Sequence, residues 1–81
     1  MRVIVIRSGG FAGLERRDEG DTAGDPVLRA LVDKVDLTAL PRPRPMPDRY
    51  VYEITIGANT AEVGETQVTG PLRDLVNHVL R

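Results

Sequence analysis

The feature that most limits how this chain can fold is a run in which every second residue is proline. It reads Pro41-Arg42-Pro43-Arg44-Pro45-Met46-Pro47. Proline has no backbone N–H and a fixed φ, so this run can sustain neither helical hydrogen bonds nor the ladder of a sheet. Residues 41–47 therefore predict an extended, proline-rich connector, with one folding segment before it and another after it.

Two strands are predicted before the connector. The run Val3-Ile4-Val5-Ile6 is β-branched throughout and is followed by glycines, which indicates a strand in the centre of a sheet. Residues 14–21 follow with charge at most positions, and their alternation is too poor for a buried strand. Because charged side chains keep an open sheet edge from pairing with other molecules, this segment predicts an edge strand.

A helix is predicted after these strands. Asp25 is a good N-cap residue, and Pro26 occupies the first helical position, where its missing N–H is no loss. We expect the helix to end before Pro41. Its apolar face is formed by Leu28, Leu31, Val32 and Val35.

The segment after the connector repeats this order. Residues 50–56 alternate apolar and polar positions and predict a strand, and residues 57–60 supply a turn. A fourth strand is expected over residues 61–69, where Val63 and Val68 are out of phase, so that Gly64 predicts a bulge that resets the register. Gly70-Pro71 then opens a helix with a wide apolar stripe, formed by Leu72, Leu75, Val76, Val79 and Leu80.

The predicted order of elements is ββαββα within a single domain, residues 1–81. Two helices on one face of a four-stranded, mainly antiparallel sheet is the economical packing of such elements, which is an α+β fold. Residues 28–35 and 72–79 share leucine, arginine, leucine, valine and valine in step. Duplication of a ββα unit and common amphipathic patterning explain this likeness equally well.

Composition argues against several classes of function. Eleven basic and twelve acidic side chains nearly cancel, which disfavours binding to nucleic acid or to an anionic membrane. The chain has no cysteine, so disulfide scaffolds, thiolate zinc sites and cysteine nucleophiles are excluded. Its longest apolar run is Val3 to Ile6, far short of the ~20 residues that cross a bilayer. Because the sequence shows no signal-peptide pattern, we expect a cytoplasmic protein. We also expect the protein to be a monomer when it is free.

The sequence offers little chemistry for catalysis. Ser8 lacks the G-x-S-x-G context of a nucleophile elbow. The single histidine, His78, is expected to be a satisfied surface residue near the C-terminus of the second helix. One histidine and scattered carboxylates give no metal-ligand spacing. We therefore predict a protein that is not an enzyme, with no catalytic residues, no metal site and no cofactor.

The strongest functional candidate is the glycine-rich segment that follows the first strand, Arg7-Ser8-Gly9-Gly10-Phe11-Ala12-Gly13. It contains the only phenylalanine of the chain. From the residues alone, two interpretations stay open: a hairpin whose Phe11 folds back over the sheet, or an aromatic side chain held out for a partner. A phosphate-binding loop is disfavoured, because such loops open a helix and this one leads into a charged strand.

This heptad resembles the opening of the emfourin family, small bacterial proteins that inhibit thermolysin-like metallopeptidases such as protealysin. The resemblance is strong over Met1 to Leu14 and continues more loosely through the acidic second strand, the helix that ends at Leu40-Pro41 and the strand over residues 48–52. It implies a protein inhibitor that binds the active-site cleft of a thermolysin-like zinc metallopeptidase.

The resemblance also implies which residues touch the peptidase. The segment Gly10-Phe11-Ala12 looks like a substrate of these enzymes, which prefer a large apolar residue just after the cut bond. The alternative function is a non-inhibitory protein–protein interaction module of the same fold, which uses the same loop or the face of Tyr50 and Tyr52. The implied binding residues are Arg7, Ser8, Gly9, Gly10, Phe11, Ala12 and Gly13.

Overall fold

A computed structural model describes residues 1–9, 15–37 and 50–80 of the chain. The elements are strands β1 (Arg2–Gly9) and β2 (Arg16–Asp21), helix α1 (Pro26–Val32), strands β3 (Tyr50–Ile56) and β4 (Asn59–Gly64) and helix α2 (Gly70–Val79), with short 3-10 helices at Thr22–Gly24 and Glu65–Gln67. The predicted ββαββα order and the α+β class are confirmed. The proline-rich connector, residues 41–47, lies outside the described residues.

The four strands form one sheet in the order β2-β1-β3-β4. All three pairings are antiparallel. The first strand is central and the charged second strand is at an edge, as the sequence predicts. Both hairpins therefore contribute one central strand and one edge strand, and the two central strands pair with each other.

The hydrophobic core lies on one face of this sheet. Alternate residues of a strand point to opposite faces, and the buried positions of β1 and β3 follow that period of two. The same face is covered by the helices, whose apolar side chains complete the core. The buried apolar residues are Val3, Val5, Leu28, Leu37, Tyr52, Ile54, Ile56, Val63, Leu72, Leu75, Val76, Val79 and Leu80.

Helix α1 begins as predicted and ends earlier than predicted. The Asp25 side chain accepts a hydrogen bond from the Leu28 amide at 3.1 Å, with Pro26 in the first turn. The helix ends at Val32, not shortly before Pro41. Aspartate and valine are weak helix formers, and an acidic side chain is unfavourable at a helix C-terminus, so Asp33 stops the helix. The next amides bond to carbonyls three residues back.

The packing of α1 on the sheet depends on a glycine. Leu28 is the buried residue of α1, while Leu31, Val32 and Val35 are half-buried against the core. A Cβ atom on Gly20 of β2 would lie 2.9 Å from Leu28 Cδ2. The missing side chain at Gly20 therefore lets the helix approach the edge of the sheet.

The prediction for the fourth strand is wrong in its bounds and in its bulge. The strand covers Asn59–Gly64, and Ile56 pairs with Asn59, so that only Gly57 and Ala58 form the turn. The ladder runs without interruption to the pair of Val51 with Gly64. Gly64 ends the strand, where its amide donates to Gln67 Oε1 at 2.8 Å. Val68 is out of phase because it lies beyond the strand.

Helix α2 follows the prediction closely. It begins at Gly70, whose φ is +58°, and ends at Val79. Its inward side buries Leu72, Leu75, Val76 and Val79. A stripe of this width fixes the orientation of the helix over the sheet.

Candidate functional site

The candidate binding segment begins at one end of the sheet, where β1 finishes and where β2 and β3 begin. Arg7 lies opposite Arg16 on one side and Tyr52 on the other, and Gly9 lies opposite Tyr50. Gly9 has a φ of +93°, in the left-handed region that glycine adopts without a steric penalty. The chain thus leaves the sheet at a position that favours glycine.

Only part of the predicted binding segment falls within the described residues. Arg7, Ser8 and Gly9 are the last residues of β1. Gly10, Phe11, Ala12 and Gly13 lie outside the described residues, so their role as contact residues stays a prediction.

Arg7 and Ser8 are adjacent in sequence and belong to opposite faces of the sheet. Arg7 continues the core-facing series of Val3 and Val5, and Ser8 faces the other side, opposite Val51. The Arg7 guanidinium carbon lies 4.5 Å from the centroid of the Tyr50 ring. This is a cation–π contact, and it holds a long flexible side chain against the start of β3.

Arg16 is a neighbour of Arg7 that the sequence does not connect with the site. Directly opposed residues of antiparallel strands share a face, so Arg16 lies beside Arg7 on the core-facing side. Arg16 is exposed and Arg7 is half-buried. In the described part of the chain, neither arginine forms a salt bridge. Finding this pair requires the strand register, which no local motif supplies.

The Tyr50 and Tyr52 positions do not form an open aromatic surface. Tyr52 is 9% exposed and belongs to the core. Tyr50 is half-buried, packs against the core and is covered by the Arg7 guanidinium. Little tyrosine surface is left for a partner in the alternative function.

The prediction for His78 is confirmed in its hydrogen bonding and its place in the last turn of α2, and it is wrong in its exposure. Its side chain is only 13% exposed, and Nε2 donates to Asp25 Oδ2 at 2.6 Å. This hydrogen bond joins the last turn of α2 to the N-cap of α1. It is also the main cause that holds the pKa of Asp25 below its ordinary value of 3.8, followed by the hydrogen bond from the Leu28 amide.

The described residues that line the shallow groove beside the His78–Asp25 hydrogen bond are Val27, Leu31, Asp74, Asn77 and His78. These side chains include no hydroxyl or thiol nucleophile for an acid–base pair to activate. Across residues 1–9, 15–37 and 50–80, histidine and carboxylate side chains form no cluster of three that would hold a metal ion.

Comparison with known proteins identifies a family for this chain. A protein-family model, Emfourin, matches residues 5–80, which is almost the whole chain. The chain belongs to the Emfourin family. No curated protein and no solved structure matches it significantly.

Membership of the Emfourin family gives the chain a coarse function. The family implies a metallopeptidase inhibitor, whose partner is a protein. An inhibitor family is consistent with a protein that is not an enzyme. In the part of the chain that the structure describes, no helix combines the length and the apolar character needed to cross a membrane.

Proposed function

We propose that this chain inhibits a thermolysin-like zinc metallopeptidase by placing the segment Gly10-Phe11-Ala12 in the active-site cleft of the enzyme. The observation that carries the proposal is the match of the Emfourin family to residues 5–80. The segment lies within residues 10–14, which join Gly9, at the end of β1, to Glu15, immediately before β2. These residues thus connect two strands that are paired from Arg2–Asp21 to Arg7–Arg16.

The composition of the segment suits a narrow cleft. Glycine and alanine on either side of Phe11 keep the chain thin, so that its backbone can form strand-like hydrogen bonds with the walls of the cleft. Phe11 then fills the apolar pocket that accepts the residue after the cut bond. A buried aromatic anchor of this kind is the usual centre of binding energy in an interface.

The frame around the segment explains inhibition in place of cleavage. Because β1 and β2 are paired from Arg2–Asp21 to Arg7–Arg16, the strands on either side of the segment are held in the sheet. Binding a segment that connects two paired strands requires less ordering than binding a free peptide. The same anchorage opposes the distortion that a peptide undergoes during cleavage.

The substitution Phe11→Ala tests the proposal, with thermolysin as the probe enzyme. Truncation of an anchor in an apolar pocket costs at least about 2 kcal/mol, so we expect the inhibition constant to rise roughly thirtyfold or more. The melting midpoint should change little. Val27→Ala is the matched control, because Val27 is an apolar side chain that is 57% exposed on α1. It should leave inhibition unchanged.

Gly10→Val tests the shape of the segment by another route. A β-branched residue resists positive φ and widens the chain, so inhibition should weaken without loss of the fold.

If Phe11→Ala unfolds the domain while the remaining folded fraction inhibits normally, the phenylalanine is a plug of the core, and the proposed binding mode is wrong.

A further inference from the structure

We infer that Arg7 and Arg16 act together as a carboxylate-binding pair that contacts an acidic side chain of the peptidase beside its cleft. This inference rests on the proposed function and adds to it the chemistry of a second contact. Arg7 belongs to the predicted binding segment. Arg16 lies outside that segment and is brought beside Arg7 by the register of β1 with β2. We call these two residues the arginine pair.

The geometry brings two guanidinium groups to one surface. Directly opposed residues of antiparallel strands have Cβ atoms about 5 Å apart, so Arg7 and Arg16 project side by side. The Tyr50 ring, 4.5 Å from the guanidinium carbon of Arg7, supports one face of that group. The N–H groups lie in the plane of a guanidinium, so stacking leaves them able to bind a carboxylate with two parallel hydrogen bonds.

The charges around the arginine pair differ from those elsewhere on the same hairpin. Arg2 lies opposite Asp21. Arg17 donates to Glu19 at 3.3 Å. Arg7 instead faces another arginine, an arrangement that is unfavourable in the free protein because like charges repel across strands. An acidic group supplied by a partner would relieve this repulsion.

The position of the arginine pair places it next to the proposed contact. Arg7 is two residues before Gly9, where β1 ends, and Arg16 directly follows Glu15. A peptidase that holds residues 10–14 therefore comes within reach of both side chains. The pair adds charge-assisted hydrogen bonds next to the apolar contact of Phe11.

The test compares the arginine pair with a neighbouring arginine of the same hairpin that occupies the opposite face. Arg16→Gln and Arg7→Gln remove one charge each from the pair. Arg17→Gln removes the same charge from the next position of β2, on the opposite face. Inhibition of thermolysin is measured for each variant, together with association and dissociation rates at low and high salt.

Loss of either member of the pair should raise the inhibition constant about tenfold, which corresponds to about 1.4 kcal/mol. Most of this change should be faster dissociation, because the hydrogen bonds between the arginine pair and a carboxylate covered in the complex must break as the complex dissociates. Arg17→Gln should change the inhibition constant by less than about twofold, as expected for a peripheral exposed charge. Arg7→Lys should recover only part of the loss, because an ammonium group cannot form the planar fork of hydrogen bonds.

Thermal unfolding separates binding from folding. Arg16 is exposed at the sheet edge, and its neutralisation removes repulsion from Arg7, so Arg16→Gln should not lower the melting midpoint. Weaker inhibition with an unchanged or higher midpoint supports the inference, even if Arg7→Gln proves less stable because its contact with Tyr50 is lost.

Three results overturn the inference and are distinguishable from one another. If the parent protein inhibits thermolysin and Arg16→Gln behaves like Arg17→Gln, the carboxylate contact is refuted, and the proposed function stands. Equal slowing of association in both variants also refutes the contact, since it reflects long-range attraction only. If the parent protein does not inhibit thermolysin at all, the proposed function fails, and the inference fails with it.

Discussion

The two ββα halves of this domain share one architecture and differ in how their strands are joined. In the sheet order β2-β1-β3-β4, each half supplies a central strand and an edge strand. Residues 8–15 separate Arg7 from its partner Arg16, but only Gly57 and Ala58 separate Ile56 from Asn59. The second connection is the minimum that reverses a strand, so the first connection is longer than chain reversal alone requires.

The helices of the two halves differ as well. Helix α1 has seven residues and buries one of them, whereas α2 has ten and buries four. The second half thus supplies more of the helical core, and the first half carries the candidate binding segment. This division suggests that changes in the second half act mainly on stability, and changes in the first hairpin mainly on binding.

The largest effects on stability are expected at two leucines of the core, one from each helix. Leu28 of α1 and Leu75 of α2 are both 0% exposed. Leu28→Ala and Leu75→Ala should each lower the free energy of unfolding by ~2–5 kcal/mol in chemical denaturation. Leu31→Ala should have a clearly smaller effect, because Leu31 is half-buried. A loss for Leu28→Ala no larger than that for Leu31→Ala would mean that α1 does not pack on the sheet as described.

A smaller effect is expected at the tight turn of the second hairpin. Gly57 has a φ of +61°, so Gly57→Ala forces a Cβ into the left-handed region and should destabilise the domain by about 1 kcal/mol. Gly24→Ala is the control, because an added Cβ there has no atom within 4 Å. Inhibition by folded Gly57→Ala should equal that of the parent. Weaker inhibition would show that the second hairpin also takes part in binding.

The two helix N-caps provide a third comparison. The Asp25 side chain caps α1 and also accepts from His78, whereas Thr69 at the start of α2 forms no side-chain cap hydrogen bond. Asp25→Ala should therefore lower the melting midpoint, and Thr69→Ala should change it little. His78→Ala should reproduce part of the Asp25→Ala loss. If all three variants have the melting midpoint of the parent protein, the contact between α1 and α2 contributes nothing to stability.

The smallest expected effect is a difference in acid sensitivity. The hydrogen bond from His78, followed by that from the Leu28 amide, lowers the pKa of Asp25 in the folded protein below 3.8. A carboxyl group whose pKa is lower in the folded state stabilises the fold above its unfolded pKa, and that stabilisation is lost as the pH falls through the folded value. Asp25→Asn should therefore flatten the decline in stability below about pH 4. The free energy of unfolding is measured by denaturation at several pH values. A decline at low pH that is equally steep in Asp25→Asn and in the parent protein would contradict this prediction.

The sequence predicts those parts of the fold that short-range signals specify. Asp25-Pro26 and Gly70-Pro71 mark both helix starts, and the alternation from Tyr50 to Ile56 marks a central strand. The end of α1 is not predictable in this way, because the apolar spacing continues to Val35 although Asp33 already ends the helix. The predicted bulge at Gly64 is wrong because β4 ends at Gly64, and the residues that suggested a bulge lie beyond the strand.

The candidate site can be predicted only as a segment of the chain. A heptad of glycine and small residues around Phe11 is visible in sequence, and it leads to the family. The contacts around it join residues that are distant in sequence, such as Arg7 with Tyr50 and Asp25 with His78, the latter 53 residues apart. These contacts depend on strand register and on the crossing of two helices, which no local pattern contains.

The most direct test makes the first hairpin resemble the second. Residues 9–14 are replaced by Asn-Gly, which favours a two-residue turn, and the inhibition constant against thermolysin is measured for the folded variant. If the first connection carries the binding function, the sheet persists and inhibition weakens at least about thirtyfold, the minimum expected for the loss of a central anchor. A folded variant that inhibits thermolysin as tightly as the parent would place the inhibitory surface elsewhere in the domain.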